Sequence, residues 1–157
     1  MKISKPSLND IPELLKLWRG QYKYHNDLDN YYYVSNSIEL DNKFTKYLKI
    51  AINKNNPNIL IATINNQIVG FITFEKSSTD YFDTKIKQYG EVIELFVSKE
   101  FRKRGIGKKL LTKVEKYFSE KGIEHIEIQC STFNKDALDF YKNSNYVNRQ
   151  TLLFKKI

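Results

Sequence analysis

Apolar positions recur along the chain with two different periods, and the switches between them outline the elements. Ile11, Leu14, Leu15 and Trp18 fall on one helical face, which predicts a helix to about Tyr22. Asn9 or Asp10 can cap it, and Pro12 fits its first turn. Leu40, Phe44, Tyr47, Leu48 and Ala51 predict a second helix over Ile38–Asn53. The pattern then becomes β-like in Asn58–Ile64 and Gln67–Glu75, with Asn65-Asn66 as a tight hairpin turn. Val92, Ile93, Leu95, Phe96 and Val97 form a central apolar strand. Ile106, Leu110, Leu111, Val114 and Phe118 restore the helical period to about Lys121, and Gly122 is its stop signal. Glu124–Gln129 alternates as a strand, and Asn134 can cap a short helix over Lys135–Asn143. Short segments at the two ends, Lys2–Lys5 and Tyr146–Lys155, complete the pattern, the second as a final strand or hairpin-like extension.

Two strands joined through a helix run parallel, so the strand at 92–97 and the one at 124–129 are expected side by side. The whole is an α/β fold on one mixed sheet. At 157 residues and with no linker rich in Pro, Gly or Ser, it is expected to be one domain, 1–157. Apolar content of 41% is incompatible with disorder. No apolar run reaches membrane-spanning length and none marks a signal peptide, so the expected location is cytoplasmic, away from the membrane. One cysteine, Cys130, excludes an internal disulfide, and with His25 and His125 unconnected by any motif no metal site is expected.

The net charge of +8 can suit nucleic acid, a membrane surface or a polyanionic cofactor. Its densest cluster decides among these. Arg102, Lys103, Arg104, Lys108 and Lys109 surround Gly105-Ile106-Gly107 between the central strand and the next helix. The first turn of a helix offers unpaired N–H groups and the positive end of a dipole, and glycines let a phosphate approach them. This is a pyrophosphate cradle, and it accounts for the cluster better than nucleic-acid binding does. A Walker loop is excluded, because the required glycine and hydroxyl positions hold Arg102 and Lys109. A dinucleotide fingerprint is excluded by Leu110 at its third small position.

What remains, Arg102-x-x-Gly105-x-Gly107 after a strand, resembles the acetyl-CoA motif of the GCN5-related N-acetyltransferases (GNAT). Asn134-x-x-Ala137-x-x-Phe140-Tyr141 followed by Asn145-Tyr146 resembles the second signature of that family, in the expected order and separation. Asn145 stands where Gly is usual and still permits a left-handed backbone.

The resemblance implies a mostly antiparallel sheet with a central parallel pair that splays apart, flanked by helices on both faces. It implies acetyl-CoA as cosubstrate and an amine acceptor that attacks the thioester directly. Leu95, Phe96 and Val97 would line the pantetheine, with a main-chain N–H near Phe96 or Val97 at the oxyanion. Arg102, Lys103, Arg104, Gly105, Ile106, Gly107 and Lys108 would hold the pyrophosphate. Asn134 would bond the pantetheine arm or brace the strands, and Tyr141 would protonate the leaving thiolate.

Glu91 and Glu94 are the candidate bases, beside direct proton loss to solvent through ordered water. Register on Arg102 favours Glu91, while Glu94 lies nearer the thioester; alternation puts them on opposite faces unless a bulge intervenes. Cys130 has no histidine partner and is expected to be inert. The acceptor side falls to residues 22–35, rich in Tyr with Asp27, Asp29 and His25, and to a polar loop at 77–88. Such residues weakly favour a cationic amine. The apolar tail Leu152-Leu153-Phe154 leaves a homodimer open. The rival reading is a CoA-binding sensor of the same fold without turnover.

Overall fold

The computed structural model describes residues 1–157. In chain order the elements are β1 (Lys2–Ser4), α1 (Ile11–Leu28), α2 (Ile38–Lys54), β2 (Asn58–Ile64), β3 (Gln67–Ser78), β4 (Gln88–Val97), α3 (Ile106–Glu120), β5 (Ile126–Ile128) and α4 (Lys135–Lys142). The five strands form one sheet in the order β1-β2-β3-β4-β5. All neighbours are antiparallel except β4 and β5, which the α3 crossover makes parallel. This is the expected architecture. No helix is long and apolar enough to cross a membrane.

Each face of the sheet carries its own core. On one face Leu14, Leu17 and Trp18 of α1 and Leu48 and Ala51 of α2 pack on Ile59, Ile61, Phe71 and Phe96. Trp18 stacks between Phe71, at 4.3 Å, and Phe44, at 5.4 Å. On the other face Leu110, Leu111, Val114 and Phe118 of α3 pack on Ala62, Ile72, Phe74 and Val92, and Phe140 and Tyr141 of α4 lie against this second core. Alternation along β2 divides its residues between the two cores: Ile59 and Ile61 go one way, Leu60 and Ala62 the other.

Three expectations change. α1 continues to Leu28, so Tyr22, Tyr24 and His25 sit on a helix instead of a loop. No Pro or Gly interrupts 21–28, Lys23 pairs with Asp27 one turn on, and the Asp29 N–H closes the end on the His25 carbonyl. β3 and β4 extend further than their apolar runs, which shortens the polar loop to residues 79–87. The tail forms no strand. Asn145, at φ 67°, ends α4 in the left-handed turn expected of it, and the Tyr146 N–H donates to the Tyr141 carbonyl. Beyond Tyr146 the chain is irregular, with Leu152, Leu153 and Phe154 exposed.

Gly90 is buried beneath the ring of Phe118, which a Cβ at this position would overlap. That close approach fixes how tightly α3 sits on β4. Gly90→Ala should lower unfolding free energy by about 1–3 kcal/mol, read by urea denaturation, because the ring has no free side to move into.

Candidate active site

The site starts from an extra residue in β4. Thr73 of β3 pairs with Glu94, and Phe74 with Val92, so Ile93 has no partner and bulges. The bulge changes the alternation. Val92 belongs to the α3 core and Phe96 to the α1 core. Glu91 and Glu94, each out of phase with the α3-facing residues, therefore share the α1 face. The opposite-face expectation is corrected by this one inserted residue.

β5 follows β4 only from Gly90–Ile126 to Val92–Ile128. Past the bulge the two strands diverge, and a cleft opens between them. The Ser98 N–H donates to the Val69 carbonyl, so by alternation Leu95 and Val97 turn their own N–H and C=O groups into the opening while Phe96 pairs with β3. The Arg102 guanidinium donates from Nε to the Val97 carbonyl at 3.0 Å and lies over the rings of Tyr24 and Phe96 at 4.8 and 5.4 Å. Arg102 thus braces the end of β4 through its Nε–H.

The cradle lies at the exit of β4. Lys103 has φ 59°, and Gly105 precedes α3 at φ 74°, a conformation glycine adopts without strain. The Gly105 carbonyl accepts the first helical bond, from Lys109, at 3.0 Å. The N–H groups of residues 103–108 have no acceptor within the chain. Gly107 packs near Phe140, 3.4 Å from where its Cβ would stand, which brings α4 against the start of α3. This arrangement presents backbone donors and dipole to an anion.

Residues from four elements line the cleft. Ile93, Glu94 and Leu95 come from β4, with Gln129 and Cys130 just past β5. Gln21 and His25 come from α1, and Asn134 and Tyr141 from the α4 side. Asn134 caps α4 by accepting the Ala137 N–H at 3.2 Å and also accepts the Tyr24 hydroxyl at 3.1 Å. It ties α1 to α4 across the cleft.

Glu94 is partly buried here, and the Gln21 amide donates to its carboxylate. Burial raises its pKa to about 7, against the lowering effect of that hydrogen bond. Glu91 lies outside the lining and accepts the Ser77 hydroxyl at 2.7 Å. Tyr141 is held firmly as the phenol, chiefly by burial and then by nearby Cys130 and Glu94. Burial lowers the pKa of His25 and raises that of the Cys130 thiol, so both favour neutral forms. Asp27 pairs with Lys23, and Asp29 caps the turn at Tyr32 at 3.3 Å; neither lines the cleft. Gln21 was not singled out from the sequence. Its signal is a polar residue at the next helical repeat after Ile11, Leu14 and Trp18.

The model of the Acetyltransferase (GNAT) family matches residues 13–146. An uncharacterised N-acetyltransferase of Methanocaldococcus jannaschii is 26% identical over 152 residues, 96% of this chain but 61% of that protein. One of Archaeoglobus fulgidus is 27% identical over 145 residues, 92% of each chain. The fold is also that of a predicted acetyltransferase from Clostridium acetobutylicum solved with acetyl-CoA, at TM-score 0.74 and 18% identity, covering 99% of this chain and 95% of that one. With the anion cradle and the split strands at the positions of both motifs, this match over most of its length makes the chain a member of the GNAT acetyltransferase family.

Proposed function

We propose that this protein transfers the acetyl group of acetyl-CoA to a primary amine by direct attack, within the cleft between β4 and β5. The observation that carries the reading is the junction of the cleft with the cradle. The unpartnered N–H groups of residues 103–108 suit a pyrophosphate, and the free backbone groups of Leu95 with the N–H of Val97 suit a pantetheine amide as an added strand would. The Leu95 or Val97 N–H is then a donor for the oxyanion. Among the residues of the first motif, Arg102 acts through its brace on Val97, and Lys103, Arg104 and Lys108 contribute charge around the main-chain cradle.

The chemistry needs a base and an acid. The acceptor arrives as an ammonium, and its nitrogen must lose a proton for its lone pair to attack the thioester carbon. Glu94 is the base: it lines the cleft, and with a pKa of about 7 it takes a proton readily at neutral pH. Glu91, which bonds Ser77 outside the cleft lining, suits the role less well. Collapse of the tetrahedral intermediate expels the CoA thiolate, and the Tyr141 phenol on the opposite wall supplies its proton. Cys130 remains a neutral thiol bonded to the Ser131 carbonyl at 3.6 Å and takes no acetyl group. A buried carboxylate with Tyr33 and His25 around it suits a small cationic amine or a peptide amine. The acid and base argue for turnover and against a passive sensor.

Acetyl-CoA at a hundred times its Kd should add about 2.7 kcal/mol of stability, seen as a raised melting temperature. No rise at such concentrations would refute cofactor binding. In a thiol-release assay over a panel of amines, Tyr141→Phe and Glu94→Gln should each lower kcat by about 10²-fold, with Glu91→Gln near wild type. The reverse ranking of the glutamates would overturn the assignment of the base. Because the Glu94 pKa is raised, its basic form is present above it, so kcat/KM should fall as pH drops below about 7. The same shift destabilises the fold as pH rises from the unfolded value of 4.5 to about 7, by about 3 kcal/mol in total. Glu94→Gln should therefore raise the melting temperature at pH 8 and leave it unchanged at pH 4.

A further inference from the structure

We infer that Gln21 is a positioning residue for Glu94, its side-chain amide holding the carboxylate toward the cleft at a cost to the packing of α1. The role rests on Glu94 as the base.

Gln21 occupies an apolar position. It follows Leu14, Leu17 and Trp18 on the buried stripe of α1 and is only 3% exposed. A residue there that served packing alone would be aliphatic. Its Nε2 donates to Glu94 Oε2, while its Oε1 is buried with no partner. A buried carbonyl without a donor is destabilising. The orientation suits the ionised partner: a carboxylate only accepts, so the amide nitrogen faces it and the oxygen faces away. Gln21 is therefore turned to suit Glu94 and leaves its own oxygen unsatisfied.

No other side chain makes a hydrogen bond to Glu94, and all the ion pairs lie elsewhere. The titratable groups around it are Tyr22 and His25 on α1, Tyr33 in the following turn, Tyr47 on α2, Cys130 past β5 and Tyr141 on α4. The phenols and the thiol are kept neutral by burial, and the Tyr22 hydroxyl already accepts from Trp18 Nε1 at 3.1 Å. With no cation beside it, the carboxylate owes both its direction and part of its acidity to the Gln21 amide.

The test is Gln21→Met, close in volume and helix propensity, in the full chain. Three quantities are read: the melting temperature, the titration of the Glu94 carboxyl carbon by NMR, and the pH profile of kcat/KM for acetyl transfer. The melting temperature should hold or rise. The carboxyl titration and the acidic limb of the profile should both move up by on the order of one pH unit, with KM for acetyl-CoA unchanged. An unmoved titration, with or without a lower melting temperature, would overturn the inference and leave Gln21 a packing residue. A titration that moves while the kinetic limb stays would leave Gln21 as the positioner and refute Glu94 as the base. Should the Met variant not fold, Gln21→Glu serves: the facing carboxyls should then titrate in two separated steps, and a single step at the wild-type position would overturn the inference.

Discussion

The parallel pairing of β4 and β5 stops at Val92 and Ile128, and the site depends on that stop. A sheet whose strands stay paired has no room between them and no free backbone donors. Here the bulge at Ile93 turns β4 just as the pairing ends. The turn exposes the Leu95 and Val97 backbone and carries Glu94 onto the α1 face. Antiparallel pairing with β3 resumes after the bulge and runs on to Val97, so β4 remains anchored on one side while it opens on the other.

An opened strand pair needs something to keep it from closing or fraying, and polar side chains serve. Arg102 holds the last carbonyl of β4 and lies on Tyr24 and Phe96. Tyr24 in turn reaches Asn134, which caps α4. α1, β4 and α4 are thus connected around the cleft, which makes its walls independent of β4–β5 hydrogen bonds. The two hydrophobic cores, one on each face, fix the helices that carry these residues.

The cradle and the cleft meet where β4 runs into α3. One end offers full and partial positive charge in a solvent-open turn; the other offers a carboxylate and a phenol in a partly desolvated wall. A ligand with a charged end and a long neutral arm matches that gradient. Burial differs along it: the lysines are exposed, whereas desolvation raises the pKa of Glu94 and Tyr141.

Much of this was legible in the chain. The helical stripe of α3, the parallel crossover, and the two Gly- and Asn-anchored motifs are local patterns, each readable over fewer than about 20 residues. They determined the fold class and the position of the cradle. The apolar period stops short of the end of α1, because a tyrosine-rich stretch lacks that period even where nothing breaks the helix. The tail's apolar residues read as a strand, but a strand requires a partner, and none lies beside it. Only the tertiary structure shows that Glu91 and Glu94 share the α1 face and that Glu94, not Glu91, lines the cleft, since a single unpaired residue at Ile93 reverses the facing of everything after it and leaves no mark in composition. Gln21 likewise acquires meaning only when α1 is laid over β4, 73 residues away in sequence, where an amide and a carboxylate meet in a dry wall.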